Sequence, residues 1–147
     1  MREIKFRGKN EYDKWKYGTG LIQYKTGEIG ILNNFSKYGR EATEMLNRTN
    51  VIPKTLGQYI GLDDKNGKKI FSGDIIKVFA DGRDTYSRDI NEIGTVVYNT
   101  CAFEYEVQRD GYTATYSLIE LLRNVGDDAE IEVIGNIYDN PELLEED

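Results

Sequence analysis

Turn signals recur along this chain at intervals too short for long helices. "KTGE", "DKNGK", "SGD" and Asp110-Gly111 separate short segments in which apolar, β-branched and aromatic residues alternate with polar ones. Alternation of that kind puts one face of a strand against a core and the other in water. The chain holds 15 Gly and only 2 Pro, which suits tight turns between ordered segments. The pattern predicts a mainly β protein, with about eight or nine short strands and one or two short helices.

The segments can be read one by one. "REIKFRG" reads as a half-buried strand stopped by Gly8, with Ile4 and Phe6 on one face and Arg2, Lys5 and Arg7 mostly on the other. "WKYGTGLIQY" reads as a second strand with Trp15 and Tyr17 on one face, and Gly18 and Gly20 mark a place for a bulge. "IGIL" is a third. The stretch from Asn33 to Thr49 fits a loop, or a loop with one helical turn around Ala42 to Leu46. Pro53 argues against a central strand at "NVIP". "DIIKVFA", "IGTVVYN", "FEYEVQR", "YTATY" and "IEVIGNIY" are further strands. "SLIELLRN" is the one clear helix, with Ser117 as its cap and Glu120 completing a capping box. Pro141 sits at the first position of a last helical turn.

Composition removes several classes of function. There is no His and a single cysteine, Cys101. Structural zinc within one chain and His-dependent triads therefore drop out. No apolar run approaches the roughly 20 residues of a membrane span. "MREIKFRGKN" lacks the apolar core of a signal peptide. These features describe a soluble protein of a reducing cytosol. Charge is uneven: 14 Lys and Arg against 8 Asp and Glu up to Ser72, then 5 against 18. The split suits halves that attract each other, self-association, or a basic face for an anionic partner.

One stretch invites a chemical reading. "TLGQYIGLDDKNGKKIFSGDIIKV" carries acids, an amide and glycine, as a calcium loop does, and Gly-Lys, as a phosphate loop does. With Gly67 at the sixth place of an EF-hand loop, Leu62 falls on the first ligand and Gly73 on the last. A P-loop would need Gly where Leu62 stands and a hydroxyl where Lys69 stands. Both fail. Asn66-Gly67 between strand-like flanks predicts a type I′ hairpin, with both central residues at positive φ.

Other candidates have plainer explanations. Asp63-Asp64 and Asp127-Asp128 read as solvated acids in turns. Asp74 reads as a turn cap that bonds backbone amides. Cys101 reads as a small core or edge residue. No residue takes a catalytic, cofactor-binding or metal-binding role. The one specific cluster is basic: Arg2, Lys5, Arg7, Lys9, Lys14 and Lys16, interleaved with Phe6, Tyr12, Trp15 and Tyr17. A basic aromatic β surface is a recipe for single-stranded nucleic acid. Against it stands a net charge of −7.

"REIKFRGK", "WKYG", the central stretch above, "GTVVY" and "IEVIGNIYDNPELL" together resemble the YopX family, over nearly the whole chain. The resemblance is weakest from Asn33 to Asn50 and from Asp81 to Asn91. It implies a small protein encoded by phages and prophages of bacteria, mostly Gram-positive, with a fold like SH3-type barrels carrying additional strands. It carries across no catalytic residues.

The expected organisation is a basic N-terminal β subdomain at residues 1–54 packed against an SH3-like barrel at residues 55–147, joined by the central hairpin. Three functions fit. The first is a non-enzymatic phage accessory protein in the host cytoplasm, working through protein contacts, with self-association among them. The second is single-stranded nucleic-acid binding through Arg2, Lys5, Arg7, Lys9, Lys14, Trp15, Lys16 and Tyr17. The third is a hydrolase built from carboxylates and a metal.

Overall fold

The computed structural model describes residues 3–33, 48–81, 89–99, 101–125 and 129–145. Within them lie twelve strands, one α-helix and two short 3-10 turns, all strand pairs being antiparallel. The mainly β expectation holds. The strands outnumber the expected eight or nine because "WKYGTGLIQY" breaks in two and Arg48–Val51 adds another. Backbone packing divides the chain into two compact units, Met1–Gly61 and Leu62–Asp147. Arg2, the helical turn considered at Ala42 to Leu46, and Asp127-Asp128 lie outside the described residues.

The first unit contains β1 (Phe6–Lys9), β2 (Trp15–Gly18), β3 (Gly20–Gln23), β4 (Ile29–Leu32), β5 (Arg48–Val51) and the start of β6 (Gly57–Asp63). One sheet has the order β2-β1-β6 and another β3-β4-β5. The chain changes sheets at Gly18-Thr19-Gly20, where Thr19 donates its N–H to Leu32 O at 3.1 Å. Those glycines mark a corner between sheets rather than a bulge within one strand. Pro53 opens a 3-10 turn, Pro53–Thr55, after an edge strand.

Gly8 does not stop β1; it lies inside it. A Cβ there would come within 2.9 Å of Val51, and one at Gly18 within 2.3 Å of Leu32 O and 2.4 Å of Ile31 Cγ2. The two sheets meet at these glycines because only a bare backbone fits between them. The expected inside and outside of β1 are also corrected. Ile4 is 56% exposed, whereas Arg7 is 5% and Lys9 6% exposed. Lys9 donates its backbone N–H to the buried Thr55 hydroxyl at 2.8 Å.

The second unit contains β7 (Lys69–Phe71), β8 (Asp74–Ala80), β9 (Ile90–Asn99), β10 (Ala102–Arg109), β11 (Tyr112–Ser117), α1 (Leu118–Val125) and β12 (Ala129–Asn136). Its five-stranded sheet has the order β11-β10-β9-β8-β12. Among the described residues β11 does not pair with β12, so the sheet is open and the expected barrel does not close. Ile76, Val78, Val96, Tyr105, Val107, Leu118, Leu121, Ile131 and Val133 form its core. Ser117 caps α1 as expected, accepting the Glu120 N–H on its Oγ at 3.3 Å, but the Glu120 side chain does not return the bond that would complete a capping box. Asp74 caps its turn by accepting Phe71 N–H at 2.8 Å. Cys101 is exposed in the β9–β10 turn at φ +71°, neither a core nor a strand residue.

Candidate interaction surfaces

The β1–β2 register pairs Arg7 with Tyr17 and Lys9 with Trp15. Strand alternation then collects Lys5, Arg7, Lys9, Trp15 and Tyr17 on one face and sends Lys16 to the other. Lys14 lies exposed in the turn between the strands. The structure thus unites five of the predicted nucleic-acid residues. It also occupies them. Arg7 lies 4.7 Å and Lys9 5.5 Å from the Trp15 ring centroid, and Lys5 lies 5.9 Å from that of Tyr17. Lys9 Nζ is further paired with Asp13 at 2.6 Å. Cations at these distances are held by the ring quadrupole. Phosphate would have to draw Arg7 and Lys9 out of buried positions.

The central hairpin is a turn, but not the one predicted. Gly67 has φ +79°, while Asn66 is not among the residues at positive φ. Gly67 donates to Asp64 O at 2.9 Å and Asp64 to Lys68 O at 2.7 Å, a three-residue loop with Gly67 as its bulge. Asp64 sets this geometry. Its Oδ1 accepts the N–H groups of Asn66 at 2.8 Å and Lys68 at 2.9 Å, and its Oδ2 accepts that of Val133 at 3.0 Å. The expected solvated acid is therefore a buried staple. Burial pushes its carboxyl up, but the three backbone donors outweigh burial and hold it below its ordinary value of 3.8. Lys65 N–H donates to Ile131 O at 2.8 Å, so the hairpin tip covers the outer edge of β12.

The outer face of the five-stranded sheet was not anticipated. Register places Glu130, Phe79 and Asn91 in one row across β12, β8 and β9, and Glu132, Lys77 and Ile93 in the next. Phe79 is 44% and Ile93 40% exposed. A hollow of about 280 Å³ beside Phe79 is lined by Lys65, Lys77, Asn91, Glu130 and Glu132. Lys65 Nζ lies 2.9 Å from Glu132 and 3.6 Å from Glu130. Exposed apolar side chains inside a mixed-charge rim are the anatomy of a protein-binding patch. The signal was present in "KVFA": Lys77 and Phe79 share the face opposite Val78 and Ala80, so a solvated Lys77 carries Phe79 outward.

Among the described residues, no group of three or more His, Cys, Asp or Glu side chains could hold a metal ion. No described helix is long and apolar enough to cross a membrane. The family described as YopX protein matches residues 5–145. The chain belongs to the YopX family. Two crystal structures are similar to this YopX-family chain, each with a TM-score of 0.53. One, protein EF1440 from Enterococcus faecalis, is 24% identical; the other, protein yopX from Bacillus subtilis, is 21% identical. Each likeness covers 99% of this chain and 100% of the other. At these identities the likeness speaks for the fold. No curated protein matches.

Proposed function

We propose that this YopX-family chain is a non-enzymatic accessory protein, of phage or prophage origin, that works by binding proteins in the cytoplasm of a bacterial host. The observation that carries this reading is the exposed Phe79–Ile93 pair on an open sheet face, rimmed by Lys77, Glu130 and Glu132. Burying two such side chains drives association, and the rim sets orientation. The test is in-cell crosslinking in a bacterial host, with the wild type and with Phe79→Glu combined with Ile93→Glu. A protein crosslinked by the wild type and lost in the folded variant supports the reading. Identical crosslinked sets would overturn it.

Single-stranded nucleic-acid binding is a second reading, favoured by the gathering of Lys5, Arg7, Lys9, Trp15 and Tyr17 on one face. The burial of Arg7 and Lys9 weighs against it. Light scattering coupled to size exclusion, with a mixed-sequence oligonucleotide at low and high salt, tests it. A complex that dissolves with salt supports it; no shift at low salt removes it.

A further inference from the structure

The second unit's sheet has two ends, and they differ. At β12 the backbone of Ile131 and Val133 is engaged by Lys65 and Asp64. At β11 no described strand lies beyond. The Asp110-Gly111 turn makes Arg109 and Tyr112 a hydrogen-bonded pair, so Tyr112, Ala114 and Tyr116 bond to β10. Thr113 and Thr115 therefore direct their N–H and C=O groups outward, and no described backbone group answers them there.

Resting on the protein-contact reading above, we propose that this edge binds a second copy of the same chain, antiparallel, about a two-fold axis at Ala114. The sequence Tyr112-Thr113-Ala114-Thr115-Tyr116 reads the same in both directions. Around such an axis, Thr113 faces the second copy's Thr115, and their outward backbone groups complete each other. Tyr112 faces the second copy's Tyr116. Ala114 meets its own copy at the non-hydrogen-bonded position, where strands approach to about 4.5 Å and a small side chain fits.

The tyrosine pairing extends a row already present. Tyr116 lies 5.3 Å from Tyr105, nearly stacked, and the exposed Tyr112 of the other copy would continue that row. Aromatic and Thr–Thr cross-strand pairs both favour pairing. No residue of β11 is charged, although 31% of the chain is. Free edges are ordinarily guarded by Lys, Pro or a bulge, and β11 has no Lys and no Pro. Two-fold pairing uses up both edges and closes the assembly. It also sets the two Phe79–Ile93 patches on the same side of one continuous sheet.

Sedimentation of the full chain across a concentration series tests the pairing and its register. The expected wild-type species is a dimer, twice the 16.9 kDa chain. It should tighten with salt, because each copy carries a net charge of −7. Thr113→Lys with Thr115→Lys sets like charges opposite each other twice and should weaken the dimer on the order of tenfold or more. Thr113→Glu with Thr115→Lys sets opposite charges together in the same register, with the new lysine also opposite Glu106 on β10, and should keep it. Thr115→Pro removes only an outward N–H and should leave a folded monomer.

A wild type that stays monomeric at every concentration overturns the proposal. So does a dimer that tolerates the double lysine variant, or one lost equally in both charge variants. Circular dichroism separates lost pairing from lost folding. Crosslinking through the Phe79 face is read separately, so a failed dimer and a failed partner surface are distinguishable.

Discussion

Asp64 Oδ2 accepts the backbone N–H of Val133 at 3.0 Å, across 69 positions of sequence. The same carboxylate holds its own loop through Asn66 and Lys68. One side chain thus fixes a turn and fastens it to β12. The Lys65 ion pairs with Glu130 and Glu132 lie at the surface, where such pairs contribute little and salt screens them. The buried carboxylate holds the tip.

Asp64→Asn should cost about 1–3 kcal/mol of stability in urea denaturation. Asparagine keeps one oxygen and replaces the other by an NH₂ donor. Either Val133 or the loop amides then face a donor instead of an acceptor. Lys65→Ala should cost far less. Equal losses in the two variants would show that the ion pairs hold the tip.

Asp64 also gives stability a pH dependence. Its carboxyl is depressed in the folded chain, so its contribution is present above its ordinary value of 3.8 and is lost as pH falls through the folded value. The stability difference between wild type and Asp64→Asn should be flat from pH 7 to about 5 and should shrink below about pH 4. Urea denaturation of both proteins at each pH checks this. A difference independent of pH down to acid would contradict the assignment.

Gly18→Ala tests the approach of the two sheets in the first unit. The added Cβ meets Leu32 O and Ile31 Cγ2 inside contact distance, and the carbonyl belongs to backbone that cannot step aside alone. The expected loss is about 3 kcal/mol. Gly27→Ala is the comparison: nothing lies within 4 Å, and only its φ of +91° opposes the change. Its expected loss is about 1 kcal/mol. Thermal melts of both variants give the order directly.

Trp15→Ala distinguishes a ring that covers cations from a ring that awaits a ligand. Removing it leaves Arg7 and Lys9 without the face they lie over. The expected loss is about 2–3 kcal/mol, with Trp15→Phe recovering most of it. Unchanged stability together with lost oligonucleotide binding would favour the nucleic-acid reading instead.

The sequence by itself determined where most turns fall, most strand segments, the Ser117 cap of the helix and the family. Each depends on residues close together in the chain: Gly67 and Gly111 supply positive φ locally, and alternation is a period of two. It did not determine the inside of β1, because both faces carry bulky side chains. Trp15 on the neighbouring strand decided that, by lying against Arg7 and Lys9. Asp64 looked like a solvated loop acid because its third donor, Val133, belongs to the last strand. The neighbours of Phe79, Glu130 and Asn91, come from strands distant in sequence, so only the register shows the row it stands in. Which strand ends a sheet is likewise a property of pairing order, so the place of β11 at the end of its sheet, among the described residues, became visible only in the tertiary structure. Local chemistry sets the elements; burial and edge status arise from neighbours that only folding brings together.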